Sequence, residues 1–226
     1  MAQLIPSIEK IKKFKVPPTE GELTLLTFLE PTLDDSFEVY FNPYLNGDRP
    51  DVLIMRKGYG VMVIEVKDWN LDNFKLDEKK KWVYIPNGAI VKSPIDQVIK
   101  YKYNLFDLHV PDLLQLKIKD YRNFNIVACA VYFHCASQST LDAKLVYPFK
   151  DDKKYQKFLR YNIDFIGKDS LNEEFFNGIL TKRRLIANSI SYLFTEQLYE
   201  NFKRLLCPPL HMKSEGEAID YSVKRK

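Results

Sequence analysis

Apolar and polar positions along the chain follow two rhythms, and the places where one gives way to the other mark out the elements. After a basic stretch that ends at Pro17-Pro18, "TEGELTLLTFLEPTL" carries the helical rhythm. Thr19 is placed to cap that helix, Glu22 follows in the capping-box position, and Pro31 is expected to end it. "FEVYFNPYL" alternates as a strand does. "DVLIM" and "VMVIEVK" are apolar runs of strand length separated by "RKGYG", whose glycines suit a tight turn, so the two are expected to form an antiparallel hairpin. The second run is apolar on both faces, Val61 and Val63 on one and Met62 and Ile64 on the other, which predicts a central strand. "NFKLD" and "KWVYIP" suggest a further hairpin across the lysines at 79–81.

The helical rhythm returns in "SPIDQVIKYKYNLFDL", with Pro94 at its start. "NFNIVACAVYF" reads as a buried strand and "YNIDFIG" as another, with a polar loop over 136–144 and a short helix over 151–159 between them. Two more helices are expected, over 170–178 and 181–205, the second from Leu185, Ile186, Ile190, Leu193 and Phe202 at helical spacing. The order predicts a mixed α/β domain, a short central mixed sheet flanked by helices with an extra helical part over 150–206. Residues 1–18 are read as a basic lead-in, 19–206 as the domain, and 207–226 as a polar tail or linker.

Composition changes this picture little. With 46% hydrophobic and 14% aromatic residues, the 226-residue chain has ample material for a core, which excludes a wholly disordered protein. A net charge of +4 is compatible with a polyanionic partner and equally with ordinary solubility. Three cysteines without CxxC spacing argue against a disulfide framework or a zinc ribbon. No apolar run reaches the roughly 20 residues that span a bilayer, so the expectation is a cytoplasmic protein without a membrane partner.

The chemistry rests on the end of the central strand, "VMVIEVKDW", where Glu65 and Lys67 interrupt an apolar run. As a pattern, Glu-x-Lys carries no weight. With 13 glutamates and 26 lysines in 226 positions, composition alone produces one or two such tripeptides, and the chain has two. Placement carries more: residues two apart on a strand share a face, so Glu65 and Lys67 point into one space. A hairpin closed around Gly58–Gly60 puts Asp51 roughly opposite Val66, next to Glu65 across the ladder. Two such carboxylates repel, and a divalent cation relieves the repulsion; oxygen ligands without His or Cys suit Mg²⁺ or Mn²⁺. An ion pair at a sheet end accounts for the same residues equally well.

The ordered series "EGEL" (20–23), "NPYLNGDRPDVLI" (42–54), "GYGVMVIEVKDW" (58–69) and "SPIDQVIKY" (93–101) resembles the nuclease-related domain, NERD, family of the PD-(D/E)xK restriction-endonuclease-like superfamily. The resemblance covers residues 19–135 and implies a restriction-endonuclease-like core and a Mg²⁺- or Mn²⁺-dependent DNA nuclease. It implies Glu22, Asp51 and Glu65 as metal ligands, Lys67 beside the attacking water and Gln97 at the mouth of the site. Glu22 is preferred over Glu20 because it adjoins Gly21, and Asp51 over Asp48 because "DRPD" puts Asp48 in a turn. Lys100, near Gln97 on its helix, is a candidate phosphate contact. The family often precedes a helicase, which suggests a helicase partner in cis or in trans and a role in antiviral defence, although this sequence has no GxxxxGK[ST] motif of its own. Homo-oligomerisation is left open. The alternatives are a catalytically inactive DNA-docking module of the same fold and a protein-interaction domain.

Other candidates are set aside. His134 and Cys135 are adjacent on a strand end, so they face opposite ways and form no dyad. "GYG" at 58–60 lacks the third glycine of a dinucleotide site. Trp69, Trp82 and Tyr84 suit core or rim packing, with base stacking as the less ordinary use.

Overall fold

The computed structural model describes residues 1–206 apart from Asn46 and Pro111, so the polar segment expected over 207–226 lies outside the described residues. In chain order the elements are β1 (Gln3–Ile5), α1 (Ile8–Ile11), α2 (Glu20–Thr32), β2 (Phe37–Phe41), β3 (Val52–Arg56) and β4 (Gly60–Lys67). Then come β5 (Phe74–Leu76), β6 (Trp82–Tyr84), β7 (Ala89–Val91), α3 (Pro94–Asn104), α4 (Leu113–Lys119) and β8 (Val127–Phe133). The remainder is α5 (Gln138–Leu141), α6 (Lys153–Asn162), β9 (Asp164–Gly167), α7 (Glu173–Lys182) and α8 (Glu196–Leu206).

A six-stranded mixed sheet in the order β1-β2-β3-β4-β8-β9 forms the centre. β2, β3 and β4 are antiparallel neighbours, whereas β4–β8, β8–β9 and β1–β2 are parallel pairs. β4 is central, as its two apolar faces require. Its odd-numbered side, with Val61 and Val63, joins Leu53, Cys129 and Val131 against α3 and α8. Its even-numbered side, with Met62 and Ile64, joins Ile54, Ala128 and Ala130 against α2 and α7. This is the architecture expected of a restriction-endonuclease-like core. Among the described residues no helix is long and apolar enough to cross a membrane.

Several local expectations need correction. Pro31 does not stop α2 but sits in its last turn, where only its own missing N–H is lost and Leu33 N–H still closes on the Leu29 carbonyl. The run "NFNI" is a helical turn feeding β8 rather than the start of the strand. The small hairpin gains a third strand, giving a separate sheet β5-β6-β7. The first eighteen residues carry structure of their own: β1 extends the sheet, and Ile8 and Ile11 enter the core beneath it.

The helix expected over 181–205 is broken, with a left-handed Arg184 (φ 63°) just after α7 and helix again only from Glu196. The reason is tertiary. Leu185 is buried on the α2 side of the sheet, while Phe194, Leu198 and Phe202 are buried on the α3 side. The intervening chain passes the β3–β4 turn, where Ser191 N–H donates to the Gly58 carbonyl. One straight helix could not serve both faces, even though its residues keep helical spacing.

Candidate active site

Each element that carries a predicted site residue ends at the same edge of the sheet. At the start of α2 the capping box is complete: Glu22 N–H donates to Thr19 Oγ1 (3.2 Å), and Thr19 N–H donates to Glu22 Oε2 (2.8 Å). Gly21 makes this possible. A Cβ there would overlap Asp68 Oδ1 and lie 2.9 Å from His134 Cβ and 3.0 Å from Val66 Cγ1, so only glycine lets α2 dock on the end of β4. Docking buries Glu22 (6% exposed) while the side chain of Glu20 stays outside at 86%, 3.4 Å from His134 Nε2. Of the two glutamates flanking Gly21, Glu22 is the buried one.

The hairpin sets the other two carboxylates. The register pairs Val52 with Ile64, so continuing it by one residue puts Asp51 opposite Glu65, one step from the Val66 position expected from the turn. The Asp51 carboxylate turns inward and accepts Val66 N–H at 2.7 Å. Burial holds the Asp51 carboxyl well above its usual range, and the neighbouring Glu65 and Glu22 charges raise it further. Burial also raises Glu65, against the opposing pull of Lys67. Glu65 is 1% exposed; one oxygen is paired with the Lys67 ammonium, and the other, Oε2, is buried with no hydrogen-bond partner among the described residues.

From the far side α3 closes the site. Ser93 caps it by accepting Asp96 N–H at 3.0 Å. Gln97 Nε2 donates to Tyr101 Oη (3.0 Å), and Tyr101 Oη–H donates to the Arg49 carbonyl (3.0 Å), two residues before Asp51. Burial, followed by the Glu65 charge, raises the Tyr101 phenol and keeps it a neutral donor. Lys100 does not stand free. It lies 3.8 Å from Asp48, which is itself buried and held by Asn104 Nδ2 (2.6 Å) and His109 Nε2 (3.0 Å). Asp48 therefore pins the loop before β3 onto α3.

Asp51 thus feels the charges of Glu65, Glu22 and Lys67, Glu65 is paired with Lys67, and Tyr101, held by Gln97, feels both Glu65 and Asp51. Lys92, an exposed residue between β7 and α3, also acts on Glu65 and was not singled out from the sequence. Tyr101 faces the same way as Gln97, one turn on, as its helical spacing implies; Lys92 left no trace in the pattern because it reaches Glu65 only through the fold. His134, a packed strand end as expected, bonds Tyr132 Oη through Nδ1 at 2.9 Å.

The donor set fits a hard divalent cation. An unpartnered buried carboxylate oxygen beside a second, half-buried carboxylate is the kind of oxygen pair that Mg²⁺ uses. Among the described residues no group of three or more His, Cys, Asp or Glu side chains is arranged to hold a metal ion. Mg²⁺ does not need one, because it retains several waters and is held by one or two carboxylates.

Neither the curated proteins nor the solved structures contain a match to this chain. Residues 18–134, more than half of its length, match the family described as the nuclease-related domain, and that span runs from the cap of α2 to the end of β8 and includes every residue of the cluster. The chain belongs to the NERD, or nuclease-related domain, family.

Proposed function

We propose that the protein is a Mg²⁺- or Mn²⁺-dependent DNA nuclease that hydrolyses phosphodiester bonds at the Glu22–Asp51–Glu65–Lys67 cluster. The observation that supports the proposal is the half-buried Asp51 beside the buried Glu65 and Lys67, with Glu65 Oε2 lacking a partner among the described residues. A sheet end that only needed an ion pair would have no use for a second carboxylate set against Glu65 without its own countercharge.

Asp51 and Glu65 would hold the cation, with Glu22 presenting its remaining oxygen directly or through water. When bound, the cation supplies Lewis-acid charge that neutralises the scissile phosphate and eases deprotonation of a water. Lys67 now neutralises one oxygen of Glu65, and an incoming phosphate gives its ammonium a second anion to stabilise. The Gln97 amide is fixed by its donation to Tyr101, which leaves its carbonyl oxygen to orient a water at the mouth. Lys92, and Lys100 if it leaves Asp48, are placed to hold flanking phosphates. A helicase acting in cis or in trans would supply the DNA, and a role in defence against foreign DNA fits that pairing.

The direct Lys67–Glu65 contact favours one second reading, a DNA-docking module of the same fold without catalysis. One experiment decides between the two. Single- and double-stranded DNA are incubated with the protein and Mg²⁺ or Mn²⁺, beside Asp51→Ala and Lys67→Ala. Cleavage by the parent that falls by more than about a hundred-fold in both variants is expected. Cleavage that survives both substitutions rejects the site. Absence of cleavage together with salt-sensitive binding selects the docking module.

A further inference from the structure

Next to Lys67 the chain builds an aromatic row that the catalytic reading does not use. The Lys67 ammonium lies 5.8 Å from the centroid of the Trp69 ring. Trp69 is stacked on Phe74, with centroids 4.3 Å apart and planes at 9°. Phe74 meets Tyr84 at 5.2 Å, its partner across the β5–β6 ladder. All three rings are half-buried, whereas Trp82 behind them is 1% exposed and stacks on Phe133 of β8. Packing therefore accounts for the buried ring of Trp82 and for the other three only in part.

We infer that Trp69, Phe74 and Tyr84 form a stacking platform for unpaired bases, so that the strand presented to Lys67 is single-stranded. The inference rests on the nuclease reading of the site and names the form of its substrate. In a duplex each base face is covered by its neighbours, so a row of rings beside the scissile position is of use only to bases outside the helical stack. Backing by Trp82 and Phe133 holds the rings in place before a strand arrives, which limits the ordering that binding requires. Charge agrees with the geometry: the Lys67 ammonium at the Trp69 end of the row is suited to a sugar–phosphate backbone.

The test measures binding without cleavage, in chelator, using labelled oligo-dT and the same strand annealed to oligo-dA. The parent is expected to bind the single strand at least about ten-fold tighter than the duplex, with quenching of tryptophan fluorescence. Trp69→Leu and Tyr84→Leu keep an apolar side chain but remove the ring; each is expected to lose about ten-fold for oligo-dT, with the salt dependence unchanged because no ionic contact is lost. Trp69→Tyr should restore the affinity, which a purely structural loss would not do, and urea midpoints identify any variant that fails to fold. Equal affinity of the parent for the two forms overturns the inference, as does parent-like oligo-dT binding by both leucine variants. The nuclease reading fails separately, by absence of Mg²⁺-dependent cleavage while the single-strand preference persists.

Discussion

Replacing Lys102 by methionine should stabilise this protein near neutral pH and leave it unchanged in strong base. Lys102 lies on α3 with 1% exposure, its ammonium 4.0 Å from the centroid of Phe124. Burial lowers its pKa from 10.5 to about 8, with the Arg183 charge adding to the effect and the nearby Cys129 opposing it. A difference of about 2.5 units corresponds to roughly 3 kcal/mol at about 1.4 kcal/mol per unit. The sign follows from proton counting. Between pH 8 and 10.5 the unfolded chain binds more protons at this position than the folded one, so stability rises with pH across that window. Below pH 8 the full penalty applies, and above 10.5 it is gone. Methionine removes the charge, keeps most of the stem and retains a sulfur contact with Phe124, so a gain of about 2–3 kcal/mol is expected at pH 7. That corresponds to roughly 4–12 °C in Tm for a domain of this size. Cys129, pushed up to about 11 by burial, is still mostly protonated at pH 10.5 and is common to both proteins, so its own titration largely cancels in the comparison. Urea denaturation of both proteins at pH 7, 9 and 10.5 is the assay. A variant less stable than the parent at pH 7, or a stability gap that does not narrow with rising pH, would refute the reasoning.

Four further outcomes are expected. Gly21→Ala should lose at least about 2 kcal/mol in urea denaturation, because the new methyl meets Asp68 and His134, and any nuclease activity should fall with it as Glu22 is displaced. Thr19→Ala removes one half of the capping box and should cost about 1 kcal/mol, read as a lower thermal midpoint. Asp51→Asn should raise the thermal midpoint by a few degrees at pH 7 by removing a buried charge next to Glu65, while abolishing any midpoint increase caused by added Mg²⁺. Asp48→Ala leaves His109 and Asn104 without their buried partner and should destabilise by about 2–4 kcal/mol, measured by urea unfolding.

Much of the site was legible from residues close in sequence. Thr19 and Glu22 are three positions apart, and the capping box they announce forms as read. The glycines of "RKGYG" turn the hairpin, and the hairpin alone brings Asp51 beside Glu65. The one-residue difference in register shows the limit of that reasoning. Turn residues locate a hairpin, but the ladder settles its register by packing both faces, and a slip of one would have turned Asp51 away from Glu65. Gln97 was placed on the right helix, yet the orientation of its amide depends on Tyr101, whose own partner is a carbonyl 52 positions earlier. Asp48 does close a turn with Leu45 as read, and it is also a buried anchor, because its partners His109 and Asn104 arrive from a distant part of the chain.

By itself, then, the sequence determined what is local: the caps, the hairpin, the central position of β4 and the two charges at its end. Period and turn chemistry act over a few residues and are written in those residues. The tertiary structure alone decided the parallel pairing of β4 with β8, the addition of β1 beside β2, and the break between α7 and α8 that lets one segment serve both faces of the sheet. It also decided which carboxylates are buried, since burial belongs to the space around a side chain and not to its neighbours in the chain. Glu65 and its unpartnered oxygen owe their chemistry to that space.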